Sequence, residues 1–520
     1  MASLSTKPAA LHTSLGDVTG FQKLVGDKSV QVFYGIPYAQ PPVGELRFKP
    51  PVPQEPWSGT KDATQKPNSC WQEIDEAFDR FPGVEMWNPN TARSEDCLYL
   101  NVWRPSCSVG CNEPKPIMVW IYGGGFSSGT ATLDVYDGSY LSAFNDVIVV
   151  SIAYRIGAMG FLFLNSPDAP GNAGLLDQAL ALKWVKDNAV SLGGSADDIT
   201  LFGESAGAAS VGFHLLSPVS RDLFTYAIME SATPLAGWAV QEHSLALKRA
   251  SNFALSLNCT AGDVACLRDV RPEVISQKQW EQTSYYFDVP MGPVVDGYFL
   301  PDHPLDMIRR GDIKNTSVIL GVNKNEGLYF DLYGFKEDFP LDDNGQLTET
   351  QYNNILQNIF ESDETVIEKV KREYARNASI SYTNRVDAIS GDTLFKCPVI
   401  NFAQEFSKIG GKVYLYNFEH RVSSNPWPKW LGVAHGYEIE IVFGLPLAPS
   451  SKYTDQEREL SSGVMSMWTR FAQSGNPNTD GDVVWPPYTA DDQRHIDIDS
   501  AGIREDRNLR RHECAFLEEL

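Results

Sequence analysis

The sequence predicts an α/β fold in which a large, mostly parallel sheet is flanked by helices. Apolar runs of strand length alternate with segments of helical periodicity from about residue 110 onward. That alternation is typical of strands that are joined by crossover helices and pair in parallel. No internal repeat, low-complexity tract or linker interrupts it, so we expect residues 1–520 to form a single domain.

The predicted elements follow the apolar runs in chain order. The first 110 residues are rich in loops, because PPVG, PVPQEPW and PNSC separate short strands. Later strands are expected at residues 116–122, 146–154, 198–202, 317–322 and 412–418. Helices are expected at residues 177–192, 206–216 and 455–473. The last of these ends at Ser-Gly-Asn-Pro, which is a helix-stop signal.

Composition and charge exclude several classes of function. With 42% hydrophobic residues the chain can bury a large core, which excludes wholesale disorder. The 43 basic and 66 acidic residues give a net charge of −23, which excludes a basic nucleic-acid surface and disfavours anionic lipid. No apolar stretch approaches the roughly 18 residues of a membrane span. The negative charge would favour a cationic ligand, although solubility is its commoner cause.

The cysteines and sequons favour a secreted glycoprotein. The eight cysteines form an even number, which suits disulfides, but the sequence alone does not pair them. Zinc is disfavoured because no Cys-x2-Cys occurs and no histidine stands at ligand spacing beside Cys107 and Cys111. Sequons begin at Asn258, Asn315 and Asn377. No signal peptide is visible, so we expect one to have been removed; the alternative is a cytosolic enzyme with free thiols.

The strongest chemical signal is Gly203-Glu204-Ser205-Ala206-Gly207, which lies between a predicted strand and a predicted helix. This is the context that a G-x-S-x-G nucleophile motif requires. The glycines permit a tight turn that lifts the serine oxygen above the sheet. The N-terminus of the helix supplies positive potential for a developing oxyanion. The motif therefore predicts Ser205 as a nucleophile.

A second loop carries Gly123-Gly124-Gly125 directly after the strand at residues 116–122. Its backbone N–H groups can approach a carbonyl oxygen closely, as an oxyanion hole requires. A phosphate-binding loop is disfavoured because no Gly-Lys-Ser/Thr follows.

The acid and the base should follow the serine in that order along the chain. Asp296 and Glu326 are the better acid candidates, and Glu326 is preferred because it follows the strand at residues 317–322. His435 lies in a loop of small residues, Gly-Val-Ala-His-Gly, where an imidazole can be exposed; the alternative is a histidine packed within the loop. Composition leaves His420 open as an alternative base.

Several long blocks then match a known family. The chain resembles the type-B carboxylesterases, and within them the cholinesterases, from about Phe33 to Phe516. The blocks that carry the resemblance are SEDCLYLNVW, YGGGFSSG, APGNAGLLDQ, FGESAGAASVG and HGYEIEIVFGLPL.

The resemblance implies an α/β-hydrolase fold with the active site in a narrow gorge. It implies Ser205 as nucleophile, His435 as general base and then acid, and Glu326 as the group that orients the histidine. The oxyanion-hole positions match Gly124, Gly125 and Ala206. No metal or organic cofactor is expected. The implied disulfides are Cys70–Cys97, Cys259–Cys266 and Cys397–Cys514, and we expect Cys107 and Cys111 to pair with each other.

The resemblance also implies a site for a choline cation. Trp87 matches the tryptophan on which the cation stacks, a contact worth about 0.5–2 kcal/mol. Any one of these aromatic residues would more often belong to a core, but the whole set in order favours the cation site. The other matching positions are Tyr136, Glu204, the gorge-mouth acid Asp75, and the aromatic residues Tyr329, Phe330 and Tyr333.

The acyl pocket and the gorge rim depart from the family pattern. Trp238, Phe287 and Phe330 fit the acyl pocket, but Val289 stands where vertebrate acetyl-selective enzymes carry a second phenylalanine. We therefore expect a wider pocket and a relaxed preference for acetyl. At the rim, Trp280 matches a peripheral-site position. Ser127 and Glu73 replace aromatic residues there, so we expect weak peripheral binding.

The sequence thus predicts a secreted serine esterase that hydrolyses choline esters, acetylcholine and larger acyl cholines, through an acyl-Ser205 intermediate. Its partner is a small cationic ester, with no nucleic acid, and the protein is a monomer or a non-covalent homodimer. One alternative is a general carboxylesterase for uncharged esters. The other is a catalytically silent adhesion protein, which the intact serine, acid and histidine disfavour.

Overall fold

A large mixed sheet forms the centre of the protein. The structure is a computed structural model that describes residues 7–106, 113–283, 287–377, 379–449, 452–479 and 485–520. Within these residues the main sheet has 13 strands. They are β1 (Pro8–Thr13), β2 (Gly16–Val25), β3 (Lys28–Pro37), β4 (Thr60–Asp62), β5 (Tyr99–Pro105), β6 (Lys115–Ile121), β7 (Ile148–Ile152), β8 (Gly194–Glu204), β9 (Tyr226–Glu230), β10 (Ser317–Asn323), β11 (Lys412–Phe418), β12 (Arg494–Asp499) and β13 (Gly502–Arg507).

The strand order is β1-β2-β3-β5-β7-β6-β8-β9-β10-β11-β12-β13, with β4 beside β2. The seven strands from β7 to β12 in this order pair in parallel, whereas β1, β2, β3, β5 and β13 add antiparallel edges. The central strands are buried on both faces, as their near-continuous apolar sequences require. The predicted fold class, a mostly parallel sheet flanked by helices, is confirmed.

Helices cover the sheet. Four short strands lie outside it, in the pairs Ser69–Cys70 with Arg93–Ser94 and Phe163–Ser166 with Ala169–Pro170, and Ala77–Arg80 forms a further strand. The α-helices of the described residues are α1 (Pro82–Glu85), α2 (Ser139–Asn145), α3 (Gly157–Phe161), α4 (Ala173–Leu192), α5 (Ala206–Leu216), α6 (His243–Ser256), α7 (Val264–Asp269), α8 (Pro272–Lys278), α9 (Pro304–Arg310), α10 (Leu328–Gly334), α11 (Glu349–Ile359), α12 (Glu364–Tyr374), α13 (Tyr382–Gly391), α14 (Cys397–Lys408), α15 (Ile439–Val442), α16 (Asp455–Ser474) and α17 (Arg511–Glu518).

Most of the predicted elements are present with small shifts at their ends. The helix expected at residues 177–192 begins earlier, at Ala173, and the strand expected at residues 198–202 extends over Gly194–Glu204. The expectation of short strands in the first 110 residues was wrong for β2 and β3, which have 10 residues each. Half-buried side chains make up six of the ten in β2 and four of the ten in β3, so the period-2 contrast of a one-sided strand is weak in the sequence.

Three disulfides lie within the described residues. They are the pairs that the resemblance implied, Cys70–Cys97, Cys259–Cys266 and Cys397–Cys514. The expected pair of Cys107 and Cys111 lies outside the described residues. Within the described residues, every helix is too short or too polar to cross a bilayer.

The sheet also determines where a site can form. The carboxyl ends of β6, β8 and β10 meet at one edge because these strands run in parallel. Residues 123–125, Ser205 and Glu326 each follow one of these strands within a few positions. In open α/β sheets, ligands bind outside this edge.

Candidate active site

Ser205 occupies a strained turn between β8 and α5. Its φ of 56° and ψ of −125° are unusual for a residue with a side chain. The strain persists because the surroundings fix it: the Ser205 N–H donates to the carbonyl of Glu230 at 2.8 Å. Ser205 therefore lines the central cavity at the N-terminus of an 11-residue helix.

The two glycines of the motif are required by close backbone contacts. A Cβ on Gly207 would lie 2.0 Å from the carbonyl oxygen of Ile121 in β6. A Cβ on Gly203 would lie 2.6 Å from the same oxygen and 2.7 Å from the Gly207 carbonyl carbon. The turn can therefore close against β6 only when both positions lack a side chain.

The glycine loop after β6 faces the same cavity. Residues 123–125 line it beside Ser205. Among the described residues, the backbone N–H groups of Gly124 and Gly125 donate to no other group. The N–H of Ala206 is the first of α5 and so lacks an intrahelical acceptor. These three donors are free for an oxygen atom held above Ser205.

His435 and Glu326 lie together although 109 residues separate them. His435 Nδ1 is 2.7 Å from Glu326 Oε2. The second oxygen of Glu326 accepts hydrogen bonds from Ser231 Oγ and from the backbone N–H of Asn323, both at 2.6 Å. Glu326 is fully buried, so these contacts fix both the carboxylate and the tautomer of the histidine.

The other side of His435 faces a second carboxylate. Nε2 lies 3.0 Å from Glu204 Oε1, without hydrogen-bond geometry. Burial alone would lower the pKa of His435, but the charges of Glu204 and Glu326 outweigh it and raise the pKa well above its usual value. Within the described residues, no hydrogen bond joins Ser205 Oγ to Nε2. Catalytic hydrogen bonds of free enzymes are often long and tighten in the substrate complex.

The alternative acid and base occupy other places. Asp296 closes a turn, where its Oδ1 accepts from the backbone N–H groups of Tyr298 and Leu300. His420 Nε2 lies 3.0 Å from Glu457 at the start of α16. Of these four candidates, only His435 lines the cavity that contains Ser205, and Glu326 is the acid that contacts it.

This cavity has a volume of about 500 Å³ and is strongly acidic. Five carboxylate residues line it, and among the described residues neither lysine nor arginine does. Asp288 pairs with Arg249, and Glu204 lies 3.0 Å from His435. Within the described residues, the other three carboxylates of the wall, Glu73, Asp75 and Glu76, form no ion pair with a basic side chain. The five are Glu73, Asp75, Glu76, Glu204 and Asp288.

The predicted cation-site residues lie around the same space. Trp87 stands edge-on to Tyr437, with ring centroids 6.0 Å apart, and Gly436 leaves room between it and Glu204. Tyr136 is buried at the base. Near the mouth, Tyr333 Oη donates to Asp75 at 2.7 Å. Tyr329 and Phe330 complete the aromatic wall.

Comparison with known proteins decides the family. The model of the carboxylesterase family matches residues 7–517. The chain belongs to the carboxylesterase family.

Within the carboxylesterase family, the chain is similar to several individual enzymes. The chain is 44% identical to an acetylcholinesterase of Bungarus fasciatus, over 97% of this chain and 85% of the relative. It is 43% identical to an acetylcholinesterase of Leptinotarsa decemlineata, over 98% and 86%. It is also 43% identical to a cholinesterase of Mus musculus, over 97% and 86%.

Phe287, Val289 and Phe330, three of the residues predicted for the acyl pocket, line the cavity of this carboxylesterase. The rings of Phe287 and Phe330 are 4.5 Å apart, and Trp238 packs behind Phe287 at 5.8 Å. Val289 lines the cavity, and its carbonyl accepts from Gln241 and Arg249, each at 2.7 Å. The wall is thus held from behind by side chains that sequence analysis did not single out.

The rim of the cavity is open and mixed in character. Trp280 is 43% exposed and lines the cavity. Ser127 and Glu73 line it as well, at the positions where the family pattern has aromatic residues.

Three functional neighbours escaped the sequence analysis. Phe395 stacks on Phe330 at 5.0 Å and lies 4.5 Å from the ring of His435. Glu438 and Glu230 are buried near Glu204. Burial and the charge of Glu204 raise the pKa of Glu438 well above its usual value and that of Glu230 to about 8. Glu438 lies three residues after His435, so its closeness to the predicted base in the sequence could have indicated it. No pattern in the sequence indicated Phe395.

Proposed function

We propose that the protein is a serine esterase that hydrolyses choline esters. The observation that carries this is the cavity beside Ser205, which combines an aromatic wall with several carboxylates and, among the described residues, neither lysine nor arginine. A quaternary ammonium group is cationic but cannot donate hydrogen bonds, and aromatic faces with nearby carboxylates suit it. The names of the acetylcholinesterase and cholinesterase relatives support the same substrate class.

Acylation begins when Ser205 Oγ attacks the ester carbonyl. His435 takes the hydroxyl proton at Nε2, and Glu326 stabilises the imidazolium through Nδ1. The carbonyl oxygen becomes an oxyanion, which the N–H groups of Gly124, Gly125 and Ala206 bind. The ester C–O bond then breaks, and the alcohol leaves with the proton from His435. The product of this half-reaction is acyl-Ser205.

Deacylation repeats these steps with water as the nucleophile. His435 removes a proton from water, the hydroxide adds to the acyl carbon, and the same three N–H groups bind the oxyanion. Collapse returns the proton to Ser205 Oγ and releases the acid. The acyl chain meets Phe287, Val289 and Phe330, so these residues control which acids fit.

The deciding experiment compares kcat/KM for acetylthiocholine with that for its uncharged carbon isostere. We expect a large preference for the cationic ester. That preference should weaken with salt, because the Debye length falls from about 30 Å at 0.01 M to about 10 Å at 0.1 M. Equal rates for the two esters at all salt concentrations would instead identify a general carboxylesterase for uncharged esters.

Ser205→Ala tests whether the protein is an esterase of either kind or a catalytically silent adhesion protein. We expect the variant to fold and to lose turnover, because no other group supplies the nucleophile. Activity that survives this substitution would contradict the assignment of Ser205.

We also propose that the enzyme acts outside the cell as one catalytic domain. Three disulfides and three exposed sequon residues, Asn258, Asn315 and Asn377, support an oxidising, glycosylating route. Strands from both ends of the chain, β1 and β13, belong to one sheet, which supports a single domain.

A further inference from the structure

A cluster of potential metal ligands lies on the last two strands of the sheet. His495 and Asp497 are two residues apart on β12, so their side chains point to the same face. Asp506 on β13 is directly opposite His495 in the antiparallel register. One ligand atom from each of the three residues falls within 4.8 Å of the others. Cross-strand neighbours of this kind have Cβ atoms about 5 Å apart, close enough to share one ion.

The state of His495 points to a missing partner. The residue is only 2% exposed, and its Nδ1 is buried without a hydrogen-bond partner among the described residues. Nε2 lies 3.4 Å from Asp497 Oδ1, a distance close to the edge of a tetrahedral zinc site with bonds of about 2.1 Å.

The charges nearby leave room for a dication. Asp497 and Asp506 carry two negative charges. The head group of Arg504 is 3.9 Å from Asp497 Oδ2 but closer to Glu419, at 3.2 Å. Asn417 Nδ2 donates to Asp497 Oδ1 at 3.0 Å, which orients the carboxylate as an outer-shell contact would. Asp506 is exposed and gives access from solvent.

We propose that His495, Asp497 and Asp506 bind a divalent transition-metal ion of the zinc type. One imidazole and two carboxylates suit Zn²⁺, with water in the fourth position. The cluster lies on β12 and β13, apart from the residues that line the cavity beside Ser205, so its role is to tie the edge strand β13 to β12. The ligands come from two strands, so no contiguous zinc motif marks them in the sequence.

The test is a calorimetric titration of the metal-free full chain with ZnCl2. Asp506 is exposed, so its substitution should leave the fold and the esterase activity intact. We expect Asp506→Asn to weaken Zn²⁺ binding by about 10- to 100-fold. Asp506→His also removes the charge but supplies a nitrogen ligand, so it should retain binding. The neighbouring Glu505→Gln removes a charge from the same strand and should bind as the parent does.

Thermal unfolding gives a second readout. Zn²⁺ should raise the thermal unfolding midpoint of the parent protein and of Asp506→His, because the folded forms of these two proteins bind the ion. It should not raise the midpoint of Asp506→Asn. The proposal fails if the parent protein and Asp506→Asn give the same Zn²⁺ isotherm, whether both bind or neither does. It also fails if Asp506→His behaves like Asp506→Asn, since charge and not ligation would then explain the difference.

Discussion

The electrostatic position of His435 between two carboxylates controls when it can act as a base. Its pKa is raised well above the usual value, so the imidazole is protonated over a wider pH range and becomes a base only as the pH rises through that pKa. Glu204 contributes to the shift from 3.0 Å. We expect Glu204→Gln to lower the pKa of His435. The rising limb of kcat/KM against pH should therefore move to lower pH, measured with the uncharged ester.

The matched control for this prediction is Glu73→Gln. Glu73 lines the same cavity, but it is not among the groups that shift the pKa of His435. Its substitution should leave the limb in place. A limb that stays fixed in Glu204→Gln, or that moves equally in both variants, would show that contact with Glu204 does not set the basicity of the histidine.

We expect Val289 to determine how wide the acyl pocket is. Its side chain lines the cavity opposite Phe287 and Phe330, and a larger ring there would occupy the volume of the longer acyl chain. We expect Val289→Phe to raise the ratio of kcat/KM for acetylthiocholine over butyrylthiocholine by about tenfold or more. Ser127→Tyr, which fills the rim instead, should change both substrates together. An unchanged ratio in Val289→Phe would place the acyl chain elsewhere.

At the scale of elements, the turn from β8 to α5 depends on close packing against β6. A Cβ on Gly207 would lie 2.0 Å from the Ile121 carbonyl oxygen. The nearest atoms belong to the backbone of Ile121 and Tyr122, so they can move apart only by distorting the strand. We expect Gly207→Ala to lower the free energy of unfolding by at least about 1–3 kcal/mol. Gly463→Ala, within α16 and with no atom near its Cβ, should raise it by about 0.5–1 kcal/mol. Urea denaturation measures both, and a loss of similar size in the two variants would contradict the steric explanation.

At the scale of the whole molecule, the disulfides differ in how much chain they close. Cys397–Cys514 spans 117 residues, whereas Cys259–Cys266 spans 7. Loop-closure entropy predicts about 5 kcal/mol of stabilisation for the first and about 2.5 kcal/mol for the second. Replacing both cysteines of a pair by serine should therefore cost about 2.5 kcal/mol more for the long loop, measured by denaturant unfolding. Equal losses would mean that local packing, rather than the constraint on the unfolded chain, dominates.

The sequence by itself determined the fold class and the order of the central strands and helices along the chain. It also singled out Ser205 as the predicted nucleophile. Each of these depends on interactions within a few residues. Periodicity marks a helix or strand locally, and Gly203 and Gly207 are required by the same turn that presents Ser205. The family blocks extended this local information to Glu326, His435 and the aromatic wall.

Only the tertiary structure decided which distant groups meet. Asp296 and His420 were open alternatives until the parallel order of β8, β9, β10 and β11 brought Glu326 to 2.7 Å from His435. The hydrogen bond from Arg249 to the Val289 carbonyl and the contact between the rings of Phe395 and His435 arise in the same way. So does the pairing of His495 with Asp506 across two strands. These contacts join residues whose separation along the chain carries no periodic signal, so packing of the sheet, and not local preference, selects them.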